Sequence, residues 1–111
     1  MKVEQERVGT VDVLSPMGAL VDEDAEMFCR VLQEHVRQPN PRIVVVMQGV
    51  PYMDSKALEG LLDATEDLND RALSLKLAGV TATCREILEL TDQARHFRFF
   101  NDVQDAVRSY L

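Results

Sequence analysis

Residues 43–55, Ile-Val-Val-Val-Met-Gln-Gly-Val-Pro-Tyr-Met-Asp-Ser, decide the fold. The first five, Ile43–Met47, form an unbroken apolar run rich in β-branched side chains. Such a run predicts a central strand that is buried on both faces, which in turn requires helices on each side of the sheet. A glycine and a proline then indicate a short loop. Asp54 and Ser55 follow, and both residue types favour the start of a helix.

The sequence before this segment predicts a hairpin and a helix. Residues 3–7 and 11–13 alternate in polarity, which indicates two strands joined by a turn at Gly9-Thr10. We expect Pro16 to stop the second strand and residues 16–18 to form a loop. A helical repeat follows, with acidic residues 22–24 at its start and two prolines after its end. Its apolar stripe consists of Phe28, Val31, Leu32, His35 and Val36.

The sequence after this segment continues with helices and strands in alternation. The helix that begins near Asp54-Ser55 has a predicted buried stripe of Leu58, Leu61, Leu62, Thr65 and Leu68. Strands are expected at residues 73–77 and 97–100, and capping-box spacings at Thr83–Glu86 and Asn101–Gln104 indicate two further helices. This element order predicts an α/β fold, a mixed β-sheet flanked by helices, with residues 1–111 forming one domain.

Composition restricts the partners. The formal charge is −7, from 19 acidic and 12 basic residues, so phosphate backbones and anionic membranes are poor candidates. Proteins with basic patches are better ones, because complementary charge speeds their encounter. No apolar run approaches the roughly 20 residues of a spanning helix, and residues 1–7 lack the apolar core of a signal peptide. We therefore expect a cytoplasmic protein with no membrane insertion.

Sites for catalysis, metals or cofactors are not indicated. Cys29 and Cys84 lie far apart outside any Cys-x-x-Cys pair, and we interpret each as a small buried hydrophobe. His35 and His96 have no companions at metal-ligand spacing. Neither a Gly-x-Ser-x-Gly elbow nor a glycine-rich phosphate loop is present. We expect no enzyme activity, no cofactor and no metal site.

Residues 50–58, Val-Pro-Tyr-Met-Asp-Ser-Lys-Ala-Leu, resemble the signature of STAS domains, in which a buried strand leads through a short loop to an Asp-Ser pair at a helix start. Gly18-Ala19-Leu20 resembles the Gly-x-Leu element after the second strand of that family. Residues 77–80 resemble the step into its third helix. The resemblance covers residues 3–111 and is to the anti-sigma factor antagonist type.

This resemblance implies a bacterial partner switch in signal transduction. Such an adaptor binds a serine kinase that also acts as an anti-sigma factor, and it thereby regulates transcription that depends on the sigma factor. Phosphorylation of the serine ends the complex, and a serine phosphatase restores it. Carried over to this chain, the phosphorylated residue is Ser55. The implied partner-binding residues are Gly18, Leu20, Asp22, Met53, Asp54, Ser55, Lys56, Ala57 and Leu58.

Two alternatives stay open from the sequence. The Asp54-Ser55 pair also suits a simple helix cap, which is common and contributes about 1 kcal/mol. STAS domains also resemble small subunits that bind the ATPase of lipid-trafficking ABC transporters, where no phosphorylation cycle is needed.

Three positions differ from the pattern of the family. Ala57 stands where glycine is frequent, Lys56 where a small residue is common, and Val21 where aspartate usually follows the Gly-x-Leu element. An alanine methyl group at residue 57 would narrow the approach of a partner, whereas Lys56 could either neutralise a phosphate or point into solvent.

Overall fold

The computed structural model describes residues 1–111 as a five-stranded mixed sheet with four α-helices, which confirms the predicted fold class. The strands lie in the order of the sequence; the first pair is antiparallel and the remaining pairs are parallel. In chain order the elements are β1 (Lys2–Val8), β2 (Val11–Met17), α1 (Asp22–Val36), β3 (Ile43–Val46), α2 (Ser55–Asp70), β4 (Lys76–Ala78), α3 (Ala82–Leu90), a 3-10 turn (Ala94–His96), β5 (Arg98–Phe100) and α4 (Val103–Arg108).

Helices cover both faces of the sheet, as the apolar run in β3 predicts. Val45 belongs to a large cluster that includes residues of α1, α2 and α3, whereas Val44 belongs to a smaller cluster with Ala106 of α4. Consecutive residues of a strand point to opposite faces. Three helices therefore lie on one face and α4 on the other, and both valines are fully buried.

The second strand is longer than predicted. β2 runs through Pro16 to Met17, where we expected a loop. Pairing between β2 and β3 ends at Leu14, so the missing N–H of Pro16 removes no bond on that side. On the other side Pro16 is in register with Val3 of β1. The strand therefore tolerates Pro16, because on the side of β3 no neighbouring strand requires a hydrogen bond from it.

Both predicted capping boxes are misplaced. The side chain that caps α3 is that of Thr81, which accepts a bond from the Cys84 N–H, rather than that of Thr83. The Thr81 hydroxyl also donates to the Val50 carbonyl at 2.9 Å, a tertiary contact that favours this position. α4 is capped by Asp102, one residue after the predicted Asn101.

The stripe of α2 contains smaller residues than predicted. Its fully buried members are Ala57, Leu61, Ala64, Thr65 and Leu68, whereas Leu58 and Leu62 are only partly buried. Alanine carries a weak apolar signal, but it allows neighbouring elements to approach closely. The inward face of α2 is therefore rotated from the leucine stripe towards its alanines.

The C-terminal end is attached to the sheet through Tyr110. Its hydroxyl oxygen accepts the Ile43 N–H at 3.1 Å and lies 2.8 Å and 3.0 Å from the carbonyl oxygens of Ile43 and Ser74. Burial, partly offset by the bond with the Ile43 backbone, raises the pKa of Tyr110 to about 12. The hydroxyl therefore keeps its proton and can donate to one of the two carbonyls.

We expect Tyr110→Phe to lower the free energy of unfolding by about 1–3 kcal/mol, because it leaves part-buried backbone groups without a partner. Urea unfolding followed by circular dichroism measures this change. Tyr52→Phe is the matched control, since Tyr52 is 51% exposed, and it should change stability by less than about 0.5 kcal/mol. Equal effects of the two substitutions would show that the Tyr110 hydroxyl does not stabilise the fold.

Candidate functional site

Two loops meet at the edge where the parallel strands β2 and β3 have their carboxyl ends. Leu20 in the first loop forms a parallel bridge with Met53 in the second. The Leu20 N–H donates to the Tyr52 carbonyl at 3.1 Å, and the Asp54 N–H donates to the Leu20 carbonyl at 2.9 Å. These bonds place the N-termini of α1 and α2 side by side, and the predicted site residues of both loops are thereby brought together.

The Asp54 carboxylate caps both helices. One of its oxygens accepts the Ala57 N–H of α2 at 3.0 Å, and the other accepts the Asp22 N–H of α1 at 2.8 Å. Val21, at the N-cap position of α1, has no side-chain bond to offer. The Asp22 N–H, and next the Ala57 N–H, hold the pKa of Asp54 below its usual 3.8, with a smaller contribution from Lys56. Asp54 is therefore an ionised link between the two helices.

The first loop has an unusual backbone that makes this link possible. Gly18 has a φ of +117°, which residues other than glycine rarely adopt. Asp22 has a φ of +49°, in the left-handed region that aspartate tolerates better than most residues. In this conformation the N–H of Asp22 is directed at the Asp54 carboxylate.

Ser55 is the first residue of α2, as predicted, and its side chain is exposed. Because Asp54 supplies the cap, the Ser55 hydroxyl is not needed for that purpose, and it forms no hydrogen bond within the chain. Of the two uses that the sequence left open for the pair, capping belongs to Asp54. The hydroxyl of Ser55 remains free for chemistry at the surface.

Lys56 neither points freely into solvent nor approaches Ser55 as a spare cation. Its ammonium group forms an ion pair with Glu26 of α1, with a nitrogen–oxygen distance of 3.0 Å. Hydrogen bonding to Glu26, followed by its charge, raises the pKa of Lys56. Because this ion pair is exposed, it contributes little to stability.

The helices α1 and α2 cross closely just behind the site. A Cβ atom on Gly60 would overlap the Sγ of Cys29, so a larger residue at this position of α2 would have to displace that thiol. Burial, with a smaller effect from Asp54, raises the pKa of Cys29. Both cysteines are free; Cys84 is fully buried, as expected, whereas Cys29 is only partly buried.

The predicted partner-binding residues fall into two groups. Leu20, Met53 and Ala57 belong to the core and have at most 6% of their surface exposed. Gly18, Asp22, Ser55 and Lys56 are exposed, and Asp54 and Leu58 are partly buried. The first group therefore supports the loops from below, while a partner would contact members of the second. Because the Ala57 methyl group faces inward, it does not narrow the approach of a partner.

Two residues near the site were not predicted. Tyr52 is 51% exposed on the loop before Asp54, although it lies within the segment quoted from the sequence. Glu26 reaches the site only through its ion pair with Lys56. Neither residue has a signal in the local sequence, because exposure and a pairing across 30 residues both depend on the tertiary structure.

The family model of the STAS domain matches residues 2–106, which is nearly the whole chain. The chain belongs to the STAS domain family. No curated protein matches the sequence significantly.

Several solved structures share the STAS fold with this chain. An anti-sigma factor antagonist from Mycobacterium paratuberculosis is 19% identical and has a TM-score of 0.81, with 97% of this chain and 92% of that chain covered. The Bacillus cell fate determinant SpoIIAA in its phosphorylated form is 16% identical, has a TM-score of 0.77 and covers 99% and 100% of the two chains. A sulfate transporter family protein from Wolinella succinogenes is 19% identical, with a TM-score of 0.72 and coverage of 87% and 81%. At these identities the likeness establishes the fold.

No group of three or more His, Cys, Asp or Glu side chains is arranged to hold a metal ion. No helix is both long and apolar enough to span a bilayer. The groups at the site include the exposed hydroxyl of Ser55 and, beside it, the ionised carboxylate of Asp54.

The double cap makes a prediction about pH. Folding lowers the pKa of Asp54, so its stabilising effect is complete above the usual value of 3.8 and is lost as the pH falls through the lower folded value. We expect Asp54→Asn to be less stable than the natural protein at pH 7, with a difference that shrinks in acid. Urea unfolding of both proteins at pH 7 and below pH 3.8 measures this difference; a gap that does not depend on pH would rule out the charged cap.

Proposed function

We propose that this STAS protein is a non-enzymatic anti-sigma factor antagonist of the bacterial cytoplasm, switched by phosphorylation of Ser55. In this function it binds an anti-sigma factor serine kinase, releases it after phosphorylation and is restored by a serine phosphatase. The observation that carries the proposal is the exposed, unbonded hydroxyl of Ser55 at the first residue of α2. A kinase can reach this hydroxyl without opening the fold, since Asp54 already caps the helix.

Charge explains how the modification would act. A phosphate adds about −1.5 to −2 charges. At Ser55 these charges lie next to the Asp54 carboxylate, on a protein whose formal charge is already −7. The nearest residue in sequence that could offset them, Lys56, is paired with Glu26. A partner packed on this surface would have to desolvate or repel the phosphate, so association weakens.

The domain itself is expected to tolerate the phosphate. The N-terminus of a helix carries a partial positive charge and unpaired N–H groups, and both favour a negative group there. Ser55 is exposed and its hydroxyl forms no hydrogen bond within the chain, so its modification breaks none. The switch therefore acts on the interface and leaves the fold in place.

The surface around Ser55 suits a partner with a basic rim. Asp22 and Glu23 are exposed at the start of α1, and Glu26 lies one turn further along the same helix. Tyr52 adds a large exposed ring, a type of residue that often anchors interfaces. A partner that combines positive charge with an apolar pocket fits this arrangement.

The second candidate is the transport accessory role, in which the protein binds the ATPase of a lipid-trafficking ABC transporter. It is favoured by Lys56, which departs from the family pattern beside Ser55, because a role without a phosphorylation cycle does not depend on the residues around the serine. The two functions are separated by affinity capture from native cytoplasm. Retention of a kinase supports the switch, and retention of a transporter ATPase supports the accessory role.

The direct test is phosphorylation by the cognate kinase, for which a kinase retained in the affinity capture is the candidate. We expect incubation with that kinase and ATP, followed by peptide mass spectrometry, to place phosphate on Ser55. Ser55→Ala should abolish the modification, whereas the matched Ser109→Ala should not, because Ser109 is bonded to the Ala106 carbonyl at the far end of the chain. Modification at another residue, or none, would remove the switch from the account.

A further inference from the structure

A cavity opens at the carboxyl ends of β3, β4 and β5, and its lining includes none of the residues assigned to the phosphorylation switch. Its volume is about 420 Å³, and its lining includes Gln48, Gly79, Arg85, Phe99 and Asn101. In open α/β sheets, ligands bind in crevices outside the carboxyl ends of the strands. The volume lies within the range of small-molecule sites.

Arg85 is held in place within this cavity. Its guanidinium lies 3.8 Å from the centre of the Phe99 ring, and its Nε donates to Glu89 at 2.9 Å. The stacking and the bond favour one orientation of the guanidinium, while the exposed Glu89 carboxylate offsets part of the charge of Arg85. The two terminal nitrogens bond no other group of the chain. They form a fork suited to two oxygens of one anion.

The other polar side chains of the cavity are also unused. Gln48 and Asn101 are exposed, and neither amide group forms a hydrogen bond within the chain. Each amide can both donate and accept. Val80 and the Phe99 ring supply apolar surface beside them, whereas the Phe100 side chain packs with the smaller cluster on the other face of the sheet. The cavity thus combines one cationic fork, two amides and an apolar wall.

We propose that this cavity is a binding site for a small ligand that carries an oxyanion, a carboxylate or a phosphate, on a flat apolar group. Arg85 binds the oxyanion through its two terminal nitrogens, the amides of Gln48 and Asn101 select polar substituents, and Val80 and the Phe99 ring contact the flat group. None of the cavity's lining residues belongs to the surface around Ser55.

The test is a titration of the whole protein, labelled with nitrogen-15, followed by NMR. The probes are phenyl phosphate, benzoate and inorganic phosphate at constant ionic strength. We expect saturable shifts of the amide signals of Gln48, Gly79 and Asn101 with at least one of the two aromatic probes. Comparing the affinity for phenyl phosphate with that for benzoate shows which oxyanion the site prefers. A lower affinity for inorganic phosphate than for phenyl phosphate shows that the ring contributes to binding.

Variants of Arg85 test whether its guanidinium binds the oxyanion of the probes. Arg85→Gln is expected to weaken binding about tenfold or more, since bonds to charged groups are the stronger ones. Arg85→Lys, which keeps the charge but loses the fork, should weaken it as well, and its spectrum reports whether the fold is kept. Arg95→Gln is the matched control, because Arg95 forms a similar surface ion pair outside the cavity. The proposal is overturned if no probe gives saturable shifts, or if Arg85→Gln and Arg95→Gln bind equally well.

Discussion

Ser55→Asp is expected to weaken binding of the kinase partner by roughly 5–150-fold, the range typical of coupling in such switches. The added carboxylate lies beside Asp54 at the surface that the partner covers, and Lys56, the cation next in sequence, already has Glu26 as a counterion. Ser55→Asn has nearly the same shape without the charge, so it isolates the electrostatic effect. Ser55→Ala, which is smaller and neutral, should preserve binding. Isothermal titration calorimetry measures the affinity of the natural protein and of the three variants for the kinase partner.

The fold should survive each of these substitutions. Asp54 rather than Ser55 caps α2, and an acidic residue in the first turn of a helix is stabilising. Thermal unfolding followed by circular dichroism is the control. If Asp and Asn at residue 55 reduced affinity equally, shape would account for the effect and the charge argument would be wrong.

Gly60→Ala is expected to destabilise the domain by about 1–3 kcal/mol, the usual cost of forcing extra atoms into a packed interior. Helix propensity alone predicts the opposite sign, since alanine is favoured over glycine in a helix by about 1 kcal/mol. We expect the clash to outweigh helix propensity, because the new methyl group and the Cys29 Sγ would meet where α1 and α2 cross. Urea unfolding measures the change.

A second substitution tests whether Cys29 is the cause. Cys29→Ala removes the sulfur atom that the new methyl group at residue 60 would meet, so the double variant should regain much of the lost stability. Contacting residues typically show coupling of about 0.5–3 kcal/mol in such cycles. Additive effects of the two substitutions would mean that another contact makes glycine necessary at residue 60.

The fold could be predicted from the sequence where the signal is strong and local. The apolar run of β3 indicated burial on both faces, and the Asp54-Ser55 pair marked the start of α2 to within one residue. The end of β2 could not be predicted, because the strand passes Pro16 only where pairing with β3 has ended. The cap of α3 was misplaced because Thr81 also binds Val50, a contact made 31 residues away.

The site could be predicted only in part, for a similar reason. The sequence indicates an exposed serine at a helix start, but the double cap of Asp54 joins residues that are 32 positions apart. The roles of the residues that depart from the family pattern could also be seen only in the structure. Ala57 faces the core and Lys56 binds Glu26, so neither has the effect on the surface that its position in the sequence suggested.

The affinity of protein phosphorylated fully at Ser55 for its kinase, compared with that of the unmodified protein, tests the account most directly. We expect weaker binding. We also expect the NMR spectrum of a folded protein, in which amide signals shift only at the starts of α1 and α2. Unchanged affinity, or a spectrum that has collapsed to that of an unfolded chain, would contradict the claim that charge at this hydroxyl controls association while the domain stays intact.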